Sequence, residues 1–419
     1  MRPLEGITVL DFTQAYNGPY CAMNLADNGA RVIKVERVAG GDQSRYWGPH
    51  PAKEIREKLL DNGSSGYYAV YNRNKESIAV DLGEDEGKKL IKKLYKEVDV
   101  VLENFKFGTI DKLGVGYDVA KEINPEIIFV SASGYGQNGP LCRNTAYDNV
   151  IECMSGYMEM NGYPDRLPLR SGASVGDSYT GLTAFFGVVL ACYRKKMTGK
   201  GSKVDVAMLD TMFAANEGGV LPYSLTGIPA TRTINAKPNE IVPYDTYDCA
   251  DDSIAVGISE EEQWPGFCKA IDMPELTEDP RFATNDLRCS NFDEFNSIVK
   301  EAFKGKSKAE MLDNFAKHKV PASEMLIPLQ ALDNEHLKSR GMVLTLDDAN
   351  VGSYKCFGIP IKYSKTPGEV RKTSPLLGEN TCDVMKSVGY TQEEIDRMIA
   401  EEIVGTPEST EQYFGDDDE

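Results

Sequence analysis

The chain has 419 residues, 41% hydrophobic and 26% charged, with a formal net charge of −19 from 65 acidic and 46 basic side chains. This is ordinary globular composition, long enough for two domains or one large domain with an insert. The acid excess argues against nucleic acid and anionic membrane surfaces as partners, since both select a basic face, but it leaves room for a local basic pocket.

The opening MRPLEGITVLDF lacks the charged segment and long apolar run of a signal peptide. No stretch reaches the roughly 18 uninterrupted apolar residues of a membrane span, and the most apolar one, Leu182 to Cys192, is too short. Nine cysteines without CxxC spacing point to a reducing cytoplasm rather than a disulfide framework. The histidines His50, His318 and His336 lie far apart, so no metal site is expected.

Ile7 to Phe12 reads as a buried strand, Tyr20 to Ala26 as a helix that ends at Asn28-Gly29, and Arg31 to Glu36 as a second strand. Strand, helix and strand in that order predict a parallel pair with a right-handed crossover. The alternation continues with a strand at Ser77–Leu82, a helix at Glu84–Lys96 and strands at Val98–Leu102 and Ile127–Ser131. The pattern predicts an α/β fold with an open, Rossmann-like parallel sheet whose ligands lie at the carboxyl ends of the strands. Tyr179–Lys195 reads as a long helix, apolar on all faces from Leu182 to Cys192 and so expected to be buried. Thr198-Gly-Lys-Gly201 is a turn and Lys203–Met208 a strand.

Near residue 225 the texture changes. Pro222, Pro229, Pro238 and Pro243 punctuate a loop-rich linker. Tyr244–Ile258 predicts an antiparallel hairpin turning at Asp251-Asp252, followed by helices near 260–271, 292–304 and 307–318. The last opens on Ser307-Lys-Ala-Glu310, a capping-box pattern. Residues 225–330 therefore read as a smaller α+β domain, set by long linkers between a large domain at 1–224 and its return at 331–419. Strands near 341–346 and 354–361, a helix from Thr391 and a solvated acidic tail, Gly415–Glu419, close the chain.

Two motifs bear on chemistry. The first strand–helix–strand unit has only Gly18 in its turn, not the GxGxxG of dinucleotide binding. Glu36 sits where a ribose-binding acid would stand, whereas Lys34, Arg37, Arg73 and Lys75 suit phosphate better. The same four cations also read as a solvated basic edge. The second motif, Gly172 to Gly181, places Asp177 among small residues just before the apolar helix. Small neighbours let a substrate approach, and a helix N-terminus tends to keep a carboxylate ionised. Taken alone, Asp177 reads first as a helix N-cap.

Ordered blocks carry a resemblance. Leu4-x-Gly6-x-x-Val9-Leu10-Asp11, Gly18-Pro19 and Gly29 to Glu36 open the chain; Asn72-Arg-Asn-Lys75 with Asp81-Leu82 follows. Asp99 to Phe105 with Leu113-Gly114, Ser133 to Pro140, Gly176-Asp177, Thr198 to Gly201 and Val204 to Met208 come next. Asp279-Pro-Arg-Phe282, Val320-Pro321 and Pro375 to Glu379 complete the series. In this order they resemble the family III CoA-transferases over nearly the whole chain.

The resemblance implies that CoA moves from an acyl-CoA donor to a carboxylic acid. Asp177 falls on the family's catalytic aspartate, passing through an aspartyl anhydride and an aspartyl-CoA thioester. It implies no metal and no prosthetic group; CoA and acyl-CoA are substrates. Ala15, Tyr16 and Asn17 align with the loop over pantetheine and thioester; Arg37, Lys75 and Lys112 with positions near the adenosine and its phosphates. Asn104 and Phe105 align with adenine or pyrophosphate neighbours and Met208 with a sugar contact, while Asn74 and Tyr135 complete the set. It also implies an interlocked homodimer. Tyr16, Lys112 and Ser133 replace glutamine, arginine and lysine of the oxalate-directed members, and their glycine-rich small-domain loop is missing. The related α-methylacyl-CoA racemases use a histidine where this chain has Tyr147. A phenol titrating near 10 is a poor base at neutrality, which favours transfer over racemisation. An inactive CoA-binding subunit is the remaining alternative.

Overall fold

The computed structural model describes residues 1–48, 64–228, 232 and 241–414. Pro229, Pro238, His50 and the acidic tail at 415–419 lie outside the described residues. The chain forms two compact units: residues 1–157, 171–217 and 335–419 make one, and 158–170 with 218–334 the other. The second unit takes up 158–170, a stretch that carries no boundary signal in the sequence.

In the first unit the strands are β1 (Thr8–Asp11), β2 (Arg31–Glu36), β3 (Glu76–Val80), β4 (Val100–Glu103), β5 (Ile128–Ser133) and β6 (Ser202–Ala207). They pair in parallel in the order β3-β2-β1-β4-β5-β6, and Val404–Gly405 adds an antiparallel edge beside β3. This is the expected α/β architecture with a parallel-dominated sheet. Neighbouring residues on a strand face opposite layers. Leu10, Val101 and Phe129 join one core with Ile78, Leu90 and Ile395. Val9, Val100 and Val130 join the other with Leu25, Val32 and Val188. Both faces are covered, so the strands are near-continuous apolar runs rather than alternating ones.

The chain lays β1, β2 and β3 outward in one direction, then returns to place β4 on the other side of β1. The carboxyl ends of β1 and β4 therefore mark the switch point of the strand order, the place where ligands bind in open sheets of this kind.

The long helix Val175–Thr198 turns Gly176, Thr180, Gly181, Ala184, Val188 and Ala191 inward. It is not buried all round, as its uniform apolarity suggests. Leu182, Phe186, Leu190 and Tyr193 are 42%, 62%, 53% and 65% exposed. A helix lying on a sheet can bury only one side, and here that side holds the small residues. By length and composition alone the helix is long and apolar enough to cross a membrane, with 33% of its most apolar stretch buried. Gly199, in the left-handed region at φ 67°, ends it, as the Thr198–Gly201 turn requires.

The second unit holds the expected hairpin, Tyr244–Asp248 paired antiparallel with Ser253–Gly257, and a third strand, Ala322–Glu324. Helices Trp264–Ala270, Phe292–Phe303 and Lys308–Lys317 pack over it around Phe267, Phe295, Phe303 and Phe315. Ser307 accepts from the Glu310 N–H to start the last helix.

Candidate active site

The switch point is framed by two loops that clamp each other. After β1 the chain turns through Ala15, which holds φ 67°, a costly conformation for a residue with a side chain. The Ala15 N–H donates to Asp42 Oδ1 at 3.1 Å. Just past β4, Asn104 accepts from the Gln14 N–H at 2.8 Å and donates back to the Gln14 carbonyl at 2.7 Å. The Asn104 amide also donates to Asn17 Oδ1 at 2.9 Å, and Asn17 Nδ2 donates to Asp177 Oδ1 at 3.0 Å. A relay of amides thus runs from the end of β4 to the Asp177 carboxyl.

Two glycines permit this approach. A Cβ on Gly181 would stand 2.6 Å from the Asn17 carbonyl oxygen, and one on Gly176 would stand 2.9 Å from Asp148 Oδ1. The first lets the helix Asn17–Asp27 lie against the long helix; the second admits a carboxylate to its N-terminus. Asp148 Oδ1 accepts from the Gly176 and Asp177 N–H groups at 2.7 and 3.2 Å. Asp148, not Asp177, therefore caps the long helix, and the Asp177 side chain is left for other work. Tyr16 Oη and Ser178 Oγ lie 2.7 Å apart beside it.

The electrostatics also depart from expectation. The helix N-terminus does not keep Asp177 at an ordinary carboxylate pKa. Burial first, then the charge of Asp148, pushes it up to about 7, with the Asn17 hydrogen bond pulling the other way. Asp148 is itself raised to about 6, by burial and by a hydrogen bond shared with Glu152. Glu152 is fully buried and accepts from the Ser171 N–H at 2.9 Å.

Three of the four cations of the first motif, Lys34, Arg73 and Lys75, form neither a solvated edge nor an open phosphate site. Lys75 is buried and donates to Asp11 Oδ2, Asn72 Oδ1 and the Pro19 carbonyl, at 3.0, 2.9 and 3.3 Å. Lys34 pairs with Asp42 at 2.8 Å and Arg73 with Asp27 at 2.7 Å, all four side chains buried. Glu36, 3% exposed, is held by Arg45 through two 2.8 Å contacts and does not face a ribose. Buried charges must be paired, and these pairs use up the donors.

Asn74 is likewise committed, donating to Asp27 at 2.7 Å and accepting from the Arg371 and Lys372 N–H groups. Met208 is 3% exposed, packed on Ile151 and Met212 with Tyr135 half-buried alongside. It forms core there rather than a sugar-facing surface. Arg37 and Lys112 are exposed. Phe105 is half-buried against the core, its N–H donated to Glu103 at 2.9 Å. The structure thus brings Ala15, Tyr16, Asn17 and Asn104 together at Asp177 and turns Asn74, Lys75 and Met208 inward. Asp148 had no sequence signal beyond standing next to Tyr147. Among the described residues no cluster of three or more His, Cys, Asp or Glu could hold a metal ion.

Comparison with known proteins identifies the family. The profile of CoA-transferase family III matches residues 4–381. The chain is 33% identical over 410 residues to succinyl-CoA:glutarate CoA-transferase of Homo sapiens, covering 98% of this chain and 91% of that protein. It is 32% identical over 405 residues to succinyl-CoA–D-citramalate CoA-transferase of Chloroflexus aurantiacus, covering 96% and 98%. Among solved structures, a CaiB/BaiF family protein from Brucella suis superposes with a TM-score of 0.79 at 32% identity, covering 92% of this chain and 99% of that one. The chain is an enzyme of CoA-transferase family III.

Proposed function

We propose that the enzyme passes CoA from an acyl-CoA to a free carboxylic acid through covalent intermediates on Asp177. The observation that carries the reading is the Asp177 carboxyl itself. One oxygen is held by Asn17 at 3.0 Å, and Asp148, not Asp177, caps the helix.

The free oxygen attacks the thioester carbonyl, and the C–S bond breaks to give an acyl-aspartyl anhydride and CoA thiolate. The thiolate attacks the aspartyl carbonyl, releasing the donor acid as its carboxylate and leaving an aspartyl-CoA thioester. The acceptor carboxylate attacks the aspartyl carbonyl of that thioester, breaking the C–S bond to give a second anhydride and CoA thiolate; the thiolate attacks the acceptor's carbonyl, giving the new acyl-CoA and restoring the Asp177 carboxylate. No net proton is consumed. A carboxylate stripped of water is a better nucleophile than a solvated one, and each covalent step conserves the thioester's free energy. The exposed Arg37 and Lys112 are the cations we assign to the CoA phosphates, with Asn104 and Phe105 beside the nucleotide. The relatives named for succinyl-CoA support an acyl-CoA donor and an organic acid as acceptor.

The exposed apolar stripe of the long helix supports a homodimer in which a second copy covers it. Phe186→Glu should then yield monomers in light-scattering chromatography. Nine cysteines with no disulfide among them support a reducing compartment such as the cytoplasm.

The test is a screen of acyl-CoA donors against acids with mass detection in deuterated water. Transfer without deuterium at the α-carbon supports the reading; deuterium uptake without transfer would make the enzyme an isomerase.

A further inference from the structure

Beside Asp177 stands a continuous aromatic assembly. The Tyr16 ring lies 4.6 Å from Tyr71, 5.6 Å from Tyr20 and 6.0 Å from Tyr67, centroid to centroid. Tyr67 and Tyr71 are 5.0 Å apart, Trp47 stands 5.4 Å from Tyr67, and Phe357 lies 6.0 Å from Tyr71. Every pair is tilted or edge-to-face, the geometry in which aromatic rings attract one another and which a further ring can join. Tyr16, Tyr20, Tyr67, Tyr71 and Trp47 are all half-buried, so none is sealed in a core. The assembly reaches the reacting group twice. Tyr16 meets Ser178, the residue after Asp177, at 2.7 Å, and Tyr67 lies in the electrostatic field of Asp177 and Asp148.

We propose that this tyrosine wall is the subsite for the organic part of the exchanged acid, and that it selects a monocarboxylate bearing an aromatic ring. The proposal rests on the CoA-transfer reading above.

Charge argues the same way. A short dicarboxylate would bring a second negative charge next to two resident carboxyls, Asp148 and Asp177. Arg73, the cation that acts on Tyr20, is already spent on Asp27 and the Phe357 carbonyl. Burial pushes the Tyr20, Tyr67 and Tyr71 phenols up, so they stay neutral at physiological pH. The wall therefore offers apolar area and neutral hydroxyls in place of a fixed positive charge. This would set the enzyme apart from relatives named for glutarate and citramalate.

The test compares 3-phenylpropionate with glutarate on the full chain, by calorimetric binding in the presence of CoA and as acceptors from acetyl-CoA. The wall predicts at least about tenfold tighter binding and faster transfer for 3-phenylpropionate. Tyr71→Phe should keep that preference, and Tyr71→Leu should reduce it to within about threefold. Glutarate binding as well as or better than 3-phenylpropionate, or an unchanged preference in Tyr71→Leu, would overturn the proposal. Binding decides it even if neither acid is an acceptor. Failure of the parent reading shows separately, as an absence of any Asp177 adduct with every donor.

Discussion

Two sets of carboxyls largely withdrawn from water, in the same unit, behave in opposite ways. Under the sheet's carboxyl ends, Asp11 faces Lys75 and Lys34, and these cations outweigh burial to hold its pKa below the usual carboxylate value. Glu36, against Arg45, is lowered to about 2 despite burial. A short distance along the fold, Asp177 and Asp148 have each other instead of cations and rise to about 7 and 6. Burial is common to both sets; the partner decides the sign. The paired carboxyls are framework, because their charge is already neutralised and their lone pairs are filled. Asp177 carries a charge that burial and Asp148 oppose and only the Asn17 hydrogen bond favours, which supports the nucleophilic role proposed for it.

The largest expected effect breaks the comparison at Asp177. Asp177→Ala should lower kcat by on the order of 10⁴-fold or more, while calorimetry still shows CoA binding. Activity retained within about tenfold would remove Asp177 from the chemistry. Next comes the framework. Lys75→Met strands Asp11 in the core and should cost about 3–5 kcal/mol in chemical denaturation. A loss confined to CoA affinity would instead make Lys75 a ligand contact.

Asn17→Ala sharpens the site. It removes a hydrogen bond to a charged group, and kcat should fall about 10- to 100-fold. That bond lowers the Asp177 pKa, so the rising limb of the pH–rate profile, near 7 in the native enzyme, should move to higher pH. Asp148→Asn should move the same limb to lower pH, because it deletes the charge that raises Asp177.

The smallest effect is on stability. Asp177 titrates near 7 in the folded chain and near 3.9 when unfolded, so the folded state holds the proton more tightly. Its contribution is complete below about pH 4 and is lost as pH rises through 7. Asp177→Asn mimics the protonated form and should stabilise the fold at pH 8 by about 1–2 kcal/mol, discounted because the carboxyl is only half-buried. The gain should vanish near pH 4.

The sheet was legible because strands buried on both faces are unbroken apolar runs, and Gly18-Pro19 and Asn28-Gly29 mark the turns between them. The burial of the long helix was not. A helix apolar on every side has no preferred face in its sequence; which face packs depends on where Gly176, Gly181 and Ala184 meet their neighbours. Asp177, Asn17 and Asn104 were legible through the ordered family blocks around them. The fates of Lys34, Arg73 and Lys75 were not, since a cation reads the same whether it awaits phosphate or is closed in an ion pair. Asp148 was hidden for a related reason. Its role depends on a contact with the N–H groups of residues 176 and 177, which spacing alone does not reveal.

The most direct measurement is to trap the intermediate. The enzyme is incubated with an acyl-CoA it uses, quenched with hydroxylamine and digested for peptide mass analysis. A hydroxamate on Asp177, present with acyl-CoA and absent with CoA alone, is the predicted result. An unmodified Asp177 under active turnover, or a hydroxamate on another residue, would contradict the account.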